Sequence, residues 1–117
     1  MKYRTEREIQ SKRLLKDGDY KSIRDMLERI NRQIPDTSIL ADLDAENNIV
    51  YHSASEIYEE VMSLGDGLLA AGLKDAHIAI ISENCYRYVI ADICISSGVG
   101  VVTPIDANAP VQLMATL

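Results

Sequence analysis

The run His77–Ile105, "HIAIISENCYRYVIADICISSGVGVVTPI", constrains the fold more than any other stretch of this sequence. "HIAIIS" is rich in β-branched residues and lacks clean alternation, as a strand buried on both faces of a parallel sheet would be. A polar break, Ser82-Glu83-Asn84, follows, and Asn84 suits the N-cap of a helix. That helix is predicted to reach about Ser97 and is apolar on most sides, with Tyr88, Val89, Ala91, Ile93, Cys94 and Ile95. Gly98 and Gly100 stop it, and "VVTPI" reads as a second strand. Strand, crossover helix and strand form one βαβ unit, right-handed by the general rule. The fold class is therefore α/β.

Upstream, Ser53 and Glu56 make an S-x-x-E capping box ahead of an apolar-periodic run. Ile57, Val61, Leu64 and Leu68 share a face that Tyr58, Met62 and Leu69 widen, and Gly72 stands where a left-handed C-cap belongs. "SILADLD" and "NIVYH" read as two strands around "AENN", where Asn47-Asn48 suit the positive φ of a hairpin turn. Ser22 opens another helix with Ile23, Met26, Leu27 and Ile30 on one stripe, and Pro35 follows its end. Residues 5–16 carry weaker helical periodicity (Ile9, Leu14, Leu15), broken by "KDGDY". Near the far end, Asn108-Ala109-Pro110 looks like a cap with Pro at or near N1, opening a helix of about two turns. Two parallel strands, a hairpin and an unfinished helix fall short of what a buried parallel sheet requires. The expectation is a truncated piece of something larger, with residues 1–20 as a helical extension and 21–117 as the domain portion.

The chain has 117 residues, enough for one modest core. With no Trp or Phe and six Tyr, that core must rest on Ile, Leu, Val and Ala. The net charge of −6 is unevenly spread: residues 1–34 hold ten Lys/Arg against six Asp/Glu, and residues 35–117 hold two against twelve. The basic residues Lys12, Arg13, Lys16, Lys21 and Arg24 are interleaved with acids, the pattern of solvated helix faces and not of a nucleic-acid patch. No apolar N-terminal segment suggests a signal peptide. The longest uncharged stretch, Ile93 to Ile105, is too short and too broken to span a bilayer. Cys85 and Cys94 would lie on opposite faces of one helix and cannot bridge. His52 and His77 give no zinc-type spacing. A cytoplasmic, reducing setting fits these features.

From Ser53 onward the ordered pieces "SASEI", "LGDGLLAAGL", "KDAHIAIISEN", "YVIADICISSGVG" and "VVTPID" resemble the N-terminal portion of the adenylate-forming (AMP-binding) acyl-CoA synthetase superfamily. "SIRDMLERINRQIPDTSIL" resembles that family's leading helix and first strand, so the likeness covers about residues 22 to 117. "IAIISEN" and "VIADI" look most like the long-chain fatty-acid–CoA ligase branch. The family pattern is broken at Lys74-Asp75-Ala76, where its turn glycine is missing, at Arg87-Tyr88 in place of Glu-Trp, and at Ser53-Ala54 in place of Thr-Tyr. The resemblance implies an incomplete part of the large adenylate-forming domain. It also implies ATP-dependent carboxylate activation in a parent enzyme, by acyl-adenylate formation and then thioester transfer, with ATP, Mg and CoA as its cofactors. The family's Ser/Thr/Gly-rich lysine loop, its ribose-binding aspartate and its mobile C-terminal lysine have no match in this sequence. No catalytic, cofactor-binding or metal residue is therefore expected here, and the chain alone is expected to be inactive. The implied partner is the remainder of the parent chain, which in some members rests peripherally on a membrane.

The chemistry-bearing residues that remain have ordinary explanations. "SSGVG" (Ser96 to Gly100) follows a helix and precedes a strand, so no helix N-terminal amides converge on it, and helix termination explains it. Asp92 in an apolar helix is expected at a polar edge or with a partner. His52 and His77 read as strand-end residues. Tyr51, Tyr58, Tyr86 and Tyr88 are expected to pack between sheet and helices with their hydroxyls reaching out. Cys85 sits at a helix start, where a thiol can become reactive, but no base lies near it in sequence. Two other readings stay open: a self-contained α/β module binding a nucleotide or acyl group, and a non-catalytic subunit docking through an open sheet edge. Exposed apolar sheet surface predicts self-association.

Overall fold

The computed structural model describes residues 20–116. The helix expected over residues 5–16, and with it the N-terminal extension, lies outside them. The elements run α1 (Ile23–Gln33), β1 (Ser38–Leu43), β2 (Ile49–Ser53), α2 (Ala54–Ala70), β3 (His77–Ile81), α3 (Tyr86–Cys94), a π-helical turn (Ile95–Val99), β4 (Val101–Ile105) and α4 (Val111–Met114). β1 and β2 form an antiparallel hairpin, and β3 and β4 pair in parallel in register from His77↔Val101 to Ile81↔Ile105. The architecture is α/β, with a βαβ unit, a hairpin and flanking helices, as the sequence predicts.

The core lies among α1, α2, α3 and the π turn, where Leu27, Ile57, Val61, Ile90, Cys94 and Val99 cluster. Burying an aliphatic side chain of this size contributes about 1.5–3 kcal/mol relative to leaving it exposed, so this cluster holds the helices together. α2 presents Ile57 and Val61 inward, but Leu64 is 37% exposed and Leu69 44% exposed. The face read from periodicity is therefore too wide: Tyr58, Met62 and Leu68 pack against the core, but Leu64 and Leu69 lie outside the part of α2 that is covered. In α1, Leu27 is buried while Ile23 remains exposed at the open first turn.

The capping box is complete. Ser53 Oγ accepts the Glu56 N–H at 3.2 Å, and the Ser53 N–H donates to Glu56 Oε2 at 2.7 Å. At the other end Gly72 has φ +80, its N–H bonds to the Leu69 carbonyl, and the Leu73 N–H reaches the Leu68 carbonyl. This is a Schellman ending, and the sequence places its glycine correctly. Ser22 Oγ likewise accepts the Asp25 N–H at 3.1 Å and starts α1.

The hairpin turn is narrower than "Asn47-Asn48" suggests. Only Asn47 has positive φ, at +63. Asp44 organises the loop, its Oδ1 accepting the N–H groups of Glu46 at 2.9 Å and Asn48 at 2.8 Å. A left-handed residue after such a turn keeps the two strands in register.

Four further expectations are corrected. β3 is not covered on both faces: Ile78 and Ile80 are half-buried, whereas His77, Ala79 and Ile81 are exposed, Ile81 by 53%. Helices pack on one side of this two-stranded sheet, and among the described residues nothing packs on the other. Asn84 is not the cap of α3; Cys85 occupies the N-cap with extended backbone and makes no side-chain cap bond. At the far end, Asp106 shapes the turn, its Oδ1 accepting the Asn108 N–H at 2.8 Å. Pro110, next to N1 as expected, is itself the N-cap of α4 in place of Asn108, and α4 is a single turn and not two within the described residues.

The π turn explains the two glycines. Gly98 has φ +130, a conformation that excludes most side chains, and ends the helical path. The Gly100 N–H returns to the Ile95 carbonyl at 3.2 Å, and a Cβ on Gly100 would collide with the Ala76 carbonyl oxygen. Gly100 thus lets the chain enter β4 against the start of β3. No helix of the described residues is long and apolar enough to cross a membrane.

Candidate functional site

In open α/β sheets, ligands bind in the crevice beyond the carboxyl ends of the parallel strands. Here that position is a cleft of about 400 Å³ where the loops after β3 and β4 face each other. Ser82, Glu83 and Asn84 come from the first loop, Asp106 and Asn108 from the second, and Tyr88 from the first turn of α3. The loops are locally fixed: Ser82 Oγ donates to the Glu83 carbonyl at 2.8 Å, and Asp106 holds Asn108.

The electrostatics of this cleft decide what it can do. Its lining carries two carboxylates, from Glu83 and Asp106, and no Lys or Arg. The α3 N-terminus beside it would ordinarily attract an anion. That position is already filled from within the chain: Asp42 Oδ2, on β1, accepts the Tyr86 N–H at 2.8 Å. Bonds from the Tyr86 and then the Leu43 N–H hold the Asp42 carboxyl below the usual aspartate range. A triphosphate would meet carboxylates here and no cation. The cleft is a polar crevice without the groups that phosphoryl chemistry needs.

The same helix end carries a second cluster. The His52 ring, on β2, stacks flat on Tyr86 with centroids 3.6 Å apart and planes 8° from parallel. The Tyr86 hydroxyl is buried and has no hydrogen-bond partner among the described residues. Burial first, and the nearby Glu60 charge second, push its phenol up to about 12. The expectation of tyrosine hydroxyls reaching outward fails at Tyr86, whose ring lies against His52 of the hairpin and whose hydroxyl is buried near Glu60 of α2. Tyr51 breaks the packing expectation in the opposite sense, being 63% exposed on the outer face of the hairpin. Tyr58 packs against the core and Tyr88 is half-buried at the cleft. His77 is an exposed strand-end residue, whereas His52 acquires a structural contact that its sequence neighbours do not reveal.

The remaining candidates stay apart. Cys85 is half-buried, its sulfur 3.8 Å from Ser82 Oγ, with the Asp42 carboxylate on the adjoining helix end in place of a cation or base. Cys94 is buried against the core, and burial pushes its thiol up. Both cysteines are free. Asp92 is half-buried on α3. "SSGVG" forms the π turn and leads directly into β4, so it terminates a helix as the sequence predicts. No group of three His, Cys, Asp or Glu side chains able to hold a metal gathers among the described residues.

No family model and no curated protein matches this sequence. Solved structures do match its fold. CmiS6 superposes with TM-score 0.73 at 20% identity, over 81% of this chain and 23% of its own. The N-terminal subdomain of Klebsiella oxytoca NpsA gives TM-score 0.67 at 20% identity, over 81% of this chain and 24% of that one. FmoA3, a nonribosomal peptide synthetase in its alpha-methyl-L-serine-AMP bound form, gives TM-score 0.68 at 18% identity, over 82% of this chain and 10% of that one. The chain therefore spans a quarter or less of the proteins it superposes on, and at these identities the likeness is one of fold.

Proposed function

We propose that this chain is the scaffold portion of a larger enzyme that activates carboxylates with ATP and passes the acyl group to a thiol. In that reaction a carboxylate oxygen attacks the α-phosphorus of ATP, the bond to pyrophosphate breaks, and the acyl adenylate is then attacked by a thiol with release of AMP. ATP and Mg would serve the first step and a thiol carrier such as CoA the second. The observation that carries the reading is the superposition on FmoA3, which is bound to an aminoacyl adenylate, over 82% of this chain. The ordered sequence pieces from Ser53 to Asp106 support it independently. The role of these residues is architectural: the cleft beyond β3 and β4 is acidic, and the helix end that could take phosphate is closed by Asp42.

The acid that is activated remains the finer part of the proposal. "IAIISEN" and "VIADI" favour long-chain fatty acids with CoA as acceptor, whereas the ligand of FmoA3 is an amino-acid adenylate. Pyrophosphate exchange by the full-length gene product, with long-chain fatty acids and amino acids as separate arms, tests both levels. Exchange with either class supports adenylation and names the branch. No exchange with any carboxylate, in a folded full-length protein, overturns the proposal. The residue 1–117 chain alone should show no exchange. A second reading, a self-contained binding module, is the weaker one given this acidic cleft, and calorimetric binding of ATP, AMP or CoA to this chain at micromolar affinity would support it.

A further inference from the structure

The charge of this chain is divided in a way that the core and the cleft leave unexplained. Residues 1–19 hold six Lys/Arg against four Asp/Glu, and residues 9–16 carry Lys12, Arg13 and Lys16 with no acid. α2 is the opposite. It bears Glu56, Glu59, Glu60 and Asp66 and no Lys or Arg, and its last turn lacks the basic residue that the helix dipole favours there. α1 lies along α2 in the reverse direction: Arg24 of its first turn lines a groove of about 110 Å³ with Met62, Asp66 and Leu69. At the other end the Ser55 N–H bonds to the Pro35 carbonyl. Ile23, next to Arg24, and Leu69 both remain exposed beside the groove. Arg24 pairs with Glu28 at 2.9 Å, and Asp66 forms no ion pair among the described residues.

We propose that residues 1–19 dock back on this face, with Lys12, Arg13 and Lys16 against Asp66 and the carboxyl end of α2, and Ile9, Leu14 and Leu15 over Ile23 and Leu69. The segment joins α1 at the rim of the groove. Its three cations stand four to eight residues before Tyr20, a reach of at most about 28 Å, and α2 is only about 25 Å long. Attachment at the rim gives the segment a high effective concentration that a separate molecule lacks. The strands that a larger domain would add belong beside β3 and β4 or over the open face of their sheet, whereas α1 packs on α2 and the π turn, on the helical side. The ion pairs form at an exposed surface, so salt weakens the docking. This inference rests on charge and on the groove, and does not depend on the adenylation reading.

Methyl NMR of the residue 1–117 chain at low salt tests it, with carbodiimide cross-linking as a second measure and circular dichroism to confirm folding. Leu14 or Leu15 methyls should give Overhauser contacts to Ile23 or Leu69. Lys12 or Lys16 should cross-link to Asp66, at a yield independent of chain concentration. Asp66→Lys should abolish the Overhauser contacts with secondary structure unchanged, and if it unfolds, Asp66→Asn decides. Adding Lys12→Glu, Arg13→Glu and Lys16→Glu to the Asp66→Lys chain should restore them. A folded wild type without these contacts, the outcome expected if this face is kept for another part of a larger protein, overturns the proposal. Cross-links whose yield rises with concentration overturn it too, because they place the segment on a second copy. Contacts that survive Asp66→Lys overturn the role given to Asp66.

Discussion

The N-termini of α2 and α3 solve the same problem by different means. Each leaves backbone N–H groups without partners inside the helix. α2 closes its end with Ser53 and Glu56, three residues apart. α3 closes its end with Asp42, forty-four residues upstream on the hairpin, while the side chain of its own N-cap Cys85 makes no cap bond. The first solution is local and stabilises the helix by itself. The second exists only when the hairpin is docked, so it ties the order of the βαβ unit to the position of β1. The His52–Tyr86 stack reinforces the same tie from β2. One helix start is thus a local structural unit and the other is a tertiary contact.

The largest effect that sharpens this comparison comes from the core shared by both helices. Ile57→Ala, at a site 1% exposed beneath α1 and α3, should cost about 2–5 kcal/mol, read from denaturant midpoints. Both helix ends should loosen together, as amide exchange would show. A loss confined to α2 would mean that the helices do not share one core. Ser53→Ala comes next, at about 1 kcal/mol. Its effect should concentrate in the first turn of α2, with the Tyr86 amide on α3 keeping its protection. Equal loss at both helix ends would show that the two caps are not independent.

The difference between the caps also explains what the sequence discloses. Ser53, Glu56, Gly72 and Ser22 act within a few residues of their partners, so their spacing alone identifies them. The βαβ unit is legible for the same reason, since Gly98 and Gly100 interrupt one continuous apolar run. Asn84 misleads because it has the right chemistry one residue too early, and the residue that replaces it, Asp42, is distant in the chain. The uncovered face of β3 is equally hidden: "HIAII" records a nearly unbroken apolar run, and not how many layers cover it. The acidic character of the cleft follows from Glu83 and Asp106 meeting across two loops, which no local pattern encodes.

Acid should separate the two ends by charge. Asp42 and Glu56 are both held below their ordinary ranges by backbone N–H bonds made in the folded chain. A carboxyl depressed on folding stabilises the folded state above its unfolded pKa, about 3.9 for Asp and about 4.3 for Glu. That contribution is lost as pH falls through the lower folded value. Asp42→Asn should therefore flatten the acid dependence of Tyr86 amide protection while leaving that of Glu56 unchanged, and Glu56→Gln should do the reverse. Amide exchange followed from neutral pH down past the carboxylate range checks both. If Asp42→Asn alters the first turn of α2 as much as that of α3, the hairpin serves both helices and the contrast fails.

The smallest effect lies at Asp75, between the end of α2 and β3. Asp75 has φ +60 and donates its N–H to the Val99 carbonyl at 2.7 Å. This is the position at which the resembling family carries its turn glycine, and the backbone has kept the glycine conformation without the glycine. A left-handed non-glycine residue costs about 1–2 kcal/mol, and aspartate bears it better than most. Glycine would relieve that strain but lose more chain entropy on folding, by about 0.5–1 kcal/mol. The two terms nearly offset, so Asp75→Gly should shift stability by less than about 1 kcal/mol, toward greater stability, with no change at either helix cap. Asp75→Val, which keeps a side chain but tolerates positive φ poorly, should be clearly destabilised in the same denaturant series. If valine is as stable as aspartate, the turn does not require the left-handed conformation, and the missing glycine has no structural consequence.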